Sequence, residues 1–214
     1  MKTLLLTLLL CPVLLAAAEP VVQVGLFSSG DLSDWQEKSF EGMTDYRLVN
    51  KDNRTVLRAR SEGAASGRFK EVKIDLDKTP VLHWSWRVDN LLEGVDERSK
   101  AGDDYPARVY VVFSGGLFFW RTRAINYVWS SNQPEGAVWP NAFTANARML
   151  AVQSGPERLG RWVSEQRNVA EDYRRLFGEE PGNVDAVAIM TDTDNSGQSA
   201  TAWYGDIRFS AESP

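Results

Sequence analysis

Leu82, Trp84, Trp86 and Val88 alternate with His83, Ser85 and Arg87. Successive side chains of an extended chain point to opposite sides, so a period of two marks a β-strand with one face in a core and a polar face outside. The same alternation, or a short apolar run between turn residues, recurs along the chain. It predicts strands at Val22–Phe27, Trp35–Phe40, Tyr46–Val49, Thr55–Arg60, Arg68–Leu76, Val81–Val88, Arg108–Phe113, Phe118–Trp129, Ala147–Gln153, Arg161–Gln166, Val184–Thr191 and Ala200–Phe209. One segment has a helical period instead. Val169, Tyr173 and Leu176 or Phe177 form a stripe, with Asn168 as N-cap, Glu171 three residues on, and Gly178 as the stop. Many strands joined by short turns, with one helix over 169–177, predict an all-β, antiparallel β-sandwich of jelly-roll type.

The first residues do not fit that pattern. Lys2 precedes an apolar run from Leu4 to Leu15, and Ala16, Ala17 and Ala18 form a small-residue cleavage site. The run is shorter than the roughly 20 apolar residues of a membrane span, so residues 1–18 read as a secretory signal peptide. A single domain then occupies 19–214, periplasmic or secreted, with no later segment apolar enough to span a membrane. Cleavage removes Cys11, the one cysteine, and with it disulfide and thiolate chemistry. It also lowers the cations from 24 to 23 against 29 acids. That mild acidity speaks against nucleic acid as a partner.

Eight tryptophans are many for 214 residues. Trp84 and Trp86 belong to the inward face, and Trp35 and Trp203 fit core positions at strand ends. Trp120, Trp129 and Trp139 flank a Gly115-Gly116 turn and the loop Ser130–Gly136. There, exposed indoles would stack on the C–H faces of sugars. His83 and Arg87 on one strand, with Arg108 and Tyr110 on another, would share a polar face if the two strands were neighbours. Asn126 would add a directional amide. His83 is the sole histidine, so any histidine-based catalysis must use it.

Oxygen-bearing side chains alternate in Asp192, Asp194 and Ser196 before Gly197, a spacing that can curl around calcium. An Asx-stabilised turn explains the same loop without an ion. Asp103 and Asp104 form a second acidic pair, able to complete a metal site or to pair with Arg87 or Arg108. No P-loop, dinucleotide fingerprint or nucleophile elbow is present.

Five segments together resemble the bacterial domain-of-unknown-function family 3047. They are Phe27–Trp35, Trp84–Val88, Gly102–Phe113, Ile125–Trp129 and Met190–Gly197. The resemblance carries no activity with it. The Phe27–Trp35 opening and the Tyr204–Phe209 strand also resemble galactose-binding-like jelly rolls, which include many carbohydrate-binding modules. The reading from sequence is an exported, non-catalytic protein that binds a glycan or another envelope component. Its expected ligand groups are His83, Arg87, Arg108, Tyr110, Trp120, Asn126, Trp129 and Trp139, with calcium as a candidate at 192–197. Two other classes compete with it. A polysaccharide lyase or hydrolase would gather Tyr110, His83 and Asp103 or Asp104 in one cleft. An envelope interaction or assembly factor would show an exposed apolar patch.

Overall fold

The computed structural model describes residues 20–115 and 122–211. Its strands run in chain order as β1 (Val21–Gly25), β2 (Gln36–Glu41), β3 (Asp45–Lys51), β4 (Arg54–Glu62), β5 (Ala65–Ile74), β6 (Val81–Val88) and β7 (Tyr105–Phe113). Then come β8 (Arg123–Ser130), β9 (Val138–Pro140), β10 (Ala147–Ser154), β11 (Val163–Asn168), the helix α1 (Val169–Phe177), β12 (Val184–Asp192), β13 (Ser199–Tyr204) and β14 (Ile207–Ser210). The signal-peptide segment and Trp120 lie outside the described residues.

Two sheets form a β-sandwich. In sheet 1 the order is β1-β14-β6-β13-β4-β3, with β11 on the other side of β6. In sheet 2 it is β2-β5-β12-β7-β8-β10-β9. The described pairs are antiparallel except β8 with β10, which run parallel. Parallel neighbours need a crossover, and residues 131–146 supply it, with the short strand β9 returning along the far side of β10. Neither β9 nor this parallel pair was visible in the alternation.

The core is aromatic where the sheets meet. Trp84 and Trp86 of β6 pack edge to face with centroids 5.4 Å apart. Trp84 lies 5.3 Å from Tyr127, and Trp86 lies 5.9 Å from Trp129, both on β8. Helix α1 adds Val169, Ala170 and Tyr173 to this core, with Tyr173 against Phe113 at 4.6 Å. The Asn168 side chain accepts the Glu171 N–H at 3.1 Å, and Gly178 ends the helix at φ 70°.

The run expected as one strand over Ala200–Phe209 is broken at Gly205-Asp206. Gly205 donates to the Ser85 carbonyl at 2.8 Å, and a Cβ there would meet Ser85 Oγ at 2.2 Å. Asp206 turns aside to accept Ser28 N–H and Oγ–H at 2.8 and 2.6 Å. The break lets β13 and β14 pair in succession with the two halves of β6.

Candidate functional site

Strands β6 and β7 are consecutive in the chain but lie in different sheets. The face expected to hold His83 and Arg87 together with Arg108 and Tyr110 is therefore divided between opposite sides of the sandwich. The catalytic set of Tyr110, His83 and Asp103 or Asp104 is divided in the same way. Two of the expected stacking platforms are also corrected. Trp129 is 0% exposed, its ring in the main core. Trp139 is 3% exposed, packed with Tyr105, Val128, Met149 and Ala151 over sheet 2.

On sheet 2 the outward side chains around Arg108 and Trp139 form a second buried cluster. Arg108 is 3% exposed. Its Nε donates to Asp192 Oδ1 at 2.8 Å, its Nη2 donates to Asp192 Oδ2, and Nη2 also reaches the Asp103 carbonyl at 2.7 Å. Burial is opposed by the surrounding tyrosine and carboxylate groups, which hold the guanidinium proton more tightly than usual. Arg108 is thus a structural cation. Asp104, Asp192 and Asp194 bring carboxylate oxygens within 4.8 Å of one another, so the expected calcium set gains Asp104. Ser196 lies outside this set: its N–H donates to Asp104 Oδ2 at 2.6 Å and its hydroxyl accepts Gln198 N–H, while Asn195 donates to Asp104 Oδ1. Arg108 and these N–H groups supply the positive partners of Asp192 and Asp104. Asp194 has its pKa raised, first by burial and then by Asp104.

Asn126 stands beside Tyr110 in register and is 1% exposed. Its amide oxygen and nitrogen are both buried without a hydrogen-bond partner. An unmet buried polar group costs about 1–3 kcal/mol. Asn126→Leu, close in shape, is expected to stabilise the domain by about 1–2 kcal/mol. A urea midpoint that falls in this variant would show that the carboxamide has a structural partner. Tyr110 borders an apolar groove of about 320 Å³ with Lys38, Phe40, Phe69, Val112 and Met190. Phe40 there is 64% exposed.

Sheet 1 keeps an open polar face. His83, Ser85 and Arg87 project from β6, and Ser164 and Gln166 stand across from Ser85 and His83 on β11. Trp203 of β13 is in register with Arg87, and Trp162 immediately precedes Val163, the partner of Trp86. Both indoles are half-buried. The three side chains are locked by two carboxylates. Asp89 accepts Arg87 Nε at 3.0 Å and Trp203 Nε1 at 2.9 Å. Asp52 accepts Arg87 Nη1 at 3.3 Å and Trp162 Nε1 at 2.9 Å.

Asp52 reaches across because the β3–β4 turn is tight. Asp52 and Asn53 adopt φ of 53° and 62°, the left-handed pair of a two-residue hairpin. Arg54 then lies 3.7 Å from the centroid of Trp162, and Lys51 lies 4.6 Å from that of Trp203. Beside this row is a hollow of about 390 Å³ lined by Arg54, His83, Ser85, Gln166, Asp206 and Arg208, among others. His83 Nε2 is 2.8 Å from Ser210 Oγ. Burial, then the Arg208 charge, hold the His83 pKa below its ordinary value, so the ring is neutral at pH 7.

Trp203 lies on the outer face and not in the core position expected of it, and Trp162 joins it there although it is not among the expected ligand groups. The signal was their parity. Trp203 sits between inward Ala202 and Tyr204, and Trp162 shares its phase with outward Ser164 and Gln166.

The fold is a two-layer β-sandwich with one open sheet face that carries two indoles, a guanidinium and a polar hollow. The chain belongs to the family described as protein of unknown function DUF3047, whose model matches residues 33–208. Comparison with curated proteins finds no match. Among solved structures, it is similar to the family 11 carbohydrate-binding module of cellulase Lic26A-Cel5E of Clostridium thermocellum. There the identity is 10%, coverage is 90% of this chain and 96% of that one, and the TM-score is 0.47. The K1 cleaved adhesin domain of Lys-gingipain from Porphyromonas gingivalis gives 11% identity, 91% and 99% coverage, and 0.45. The xyloglucanase domain of NopAA from Sinorhizobium fredii gives 7%, 92% and 99%, and 0.44. Among the described residues, no helix is long and apolar enough to cross a membrane.

Proposed function

We propose that this is an exported protein that binds a glycan on the outer face of sheet 1. The observation that carries the reading is the row Trp162–Arg87–Trp203, two half-buried indoles fixed at one level by Asp52 and Asp89. Indole rings suit the C–H faces of sugars, and a sugar would take the places of Arg54 and Lys51 over them. The adjoining hollow mixes Arg54 and Arg208 with Asp206, neutral His83, two serines and Gln166. Donors and acceptors of both kinds serve hydroxyl groups, which need each in turn.

A glycan array probed with the mature protein tests this, with and without calcium. A Trp162→Ala, Trp203→Ala double variant is expected to lose tenfold or more in affinity, about 1.4 kcal/mol. Binding unchanged in that variant would remove the sheet 1 face as the site. Binding that needs calcium would implicate Asp104, Asp192 and Asp194.

A second reading, an envelope interaction factor, has one observation in its favour: the apolar groove around exposed Phe40 on sheet 2. Phe40→Asp serves as its control. It should leave glycan binding intact if the tryptophan row is the site.

A further inference from the structure

We infer that the sheet 1 face takes the interior of a linear polysaccharide, which crosses strand β11 into a second hollow at the side of the sandwich. The inference rests on the glycan reading above and names the form of its ligand. The second hollow measures about 160 Å³. Gly136 and Leu150 to Val152 form one wall, Gln166 and Arg167 the other, with Glu135 and Arg175 at its rim. At that size it falls below the roughly 300–1,000 Å³ of a free-standing small-ligand site. It makes sense as a continuation.

The two hollows are contiguous through β11. Glu165 and Gln166 line both of them. Among the described strands, β11 pairs only with β6, so it is an edge of sheet 1, and its Glu165, Gln166 and Arg167 line the second hollow. Its outward side chains Ser164 and Gln166 are exposed, and Gln166 stands beside His83 of the first hollow. Glu165 is anchored where the hollows meet, its Oε1 accepting Gln153 Nε2 at 2.8 Å and Trp86 Nε1 at 3.2 Å. The divide is therefore a rigid rib, not a loop that must rearrange.

The charges of the second hollow are arranged for hydroxyls, as in the first. Arg167 and Arg175 both reach the buried Asp172 carboxylate, which neutralises part of their charge. Glu135 is exposed and ready to accept. Both hollows are open to solvent, so a chain entering one can leave by the other. A polymer interior fits such a path. A single terminal sugar would use only one half.

The test is isothermal titration with gluco-, xylo-, manno- and chito-oligosaccharides of one to six units. In the series that binds, affinity is expected to rise at least tenfold between two and five units and then level off. Glu135→Ala combined with Arg175→Gln should abolish that rise and leave disaccharide affinity unchanged. Both side chains are exposed, and Asp172 keeps Arg167, so the fold should survive. Affinity independent of length, or a full rise retained in the double variant, would overturn the extended path while leaving the glycan reading in place. Failure of every series at every length would remove both.

Discussion

Arg108→Met is expected to cost about 3–5 kcal/mol of stability, the usual range for breaking a buried ion pair from one side. The pair is buried on both sides, with Arg108 and Asp192 almost wholly out of solvent. Removing the guanidinium leaves Asp192 beside Asp104 and Asp194 with no cation among them. It also frees the Asp103 carbonyl that Nη2 holds at 2.7 Å. The melting temperature should fall by roughly 10 °C. Adding Asp192→Asn should recover part of the loss, because the remaining group then carries no charge. A shift under 1 kcal/mol would mean that water or an ion replaces the guanidinium. Loss of glycan binding in a folded Arg108→Met protein would return Arg108 to the recognition groups that the sequence suggested.

Gly102→Ala is the second large effect, and its cause is backbone against backbone. A Cβ at Gly102 would lie 2.5 Å from the Asp96 carbonyl oxygen and 2.6 Å from its nitrogen. Neither atom is the tip of a movable side chain, so the segment between β6 and β7 must shift. That segment secures the second cluster. The Glu97 carbonyl accepts Tyr105 Oη–H at 2.9 Å and Trp139 Nε1–H at 3.2 Å, while the Glu97 carboxylate accepts from Ser130 and Ser131. A loss above about 3 kcal/mol is expected, with Trp139 fluorescence shifting red as the ring becomes wet. A variant as stable as the parent would show that the turn has room to relax.

The alternation of Leu82 to Val88 made the inward and outward faces of β6 legible, and the caps of α1 made its ends legible, because both depend on neighbours in sequence. Partnership between strands does not. Alternation says that Arg87 and Arg108 each point out of a sheet. Which sheet is decided by pairings such as Arg87 with Trp203 and Arg108 with Met190, far apart in the chain. The same gap explains Trp139. Its position near a loop suggested exposure, but the Glu97 carbonyl takes its N–H and Arg98 lies over its ring, and no local pattern records that cover. The acidic loop was half legible. Asp192 and Asp194 stood out by spacing, whereas Asp104 arrives from 88 residues earlier in the chain.

The middle of sheet 1 is completed from the end of the polypeptide. Strand β6 has β13 and β14 along one side, and β1 has only β14 as a neighbour. Val21 thus meets Ser210 as its partner. Closing so large a loop carries an entropic cost before any contact rewards it. The first half of the chain therefore cannot finish sheet 1 by itself. An N-terminal fragment ending before Ser199 lacks β13, which joins β4 to β6, and β14, which joins β1 to β6, so it cannot complete sheet 1.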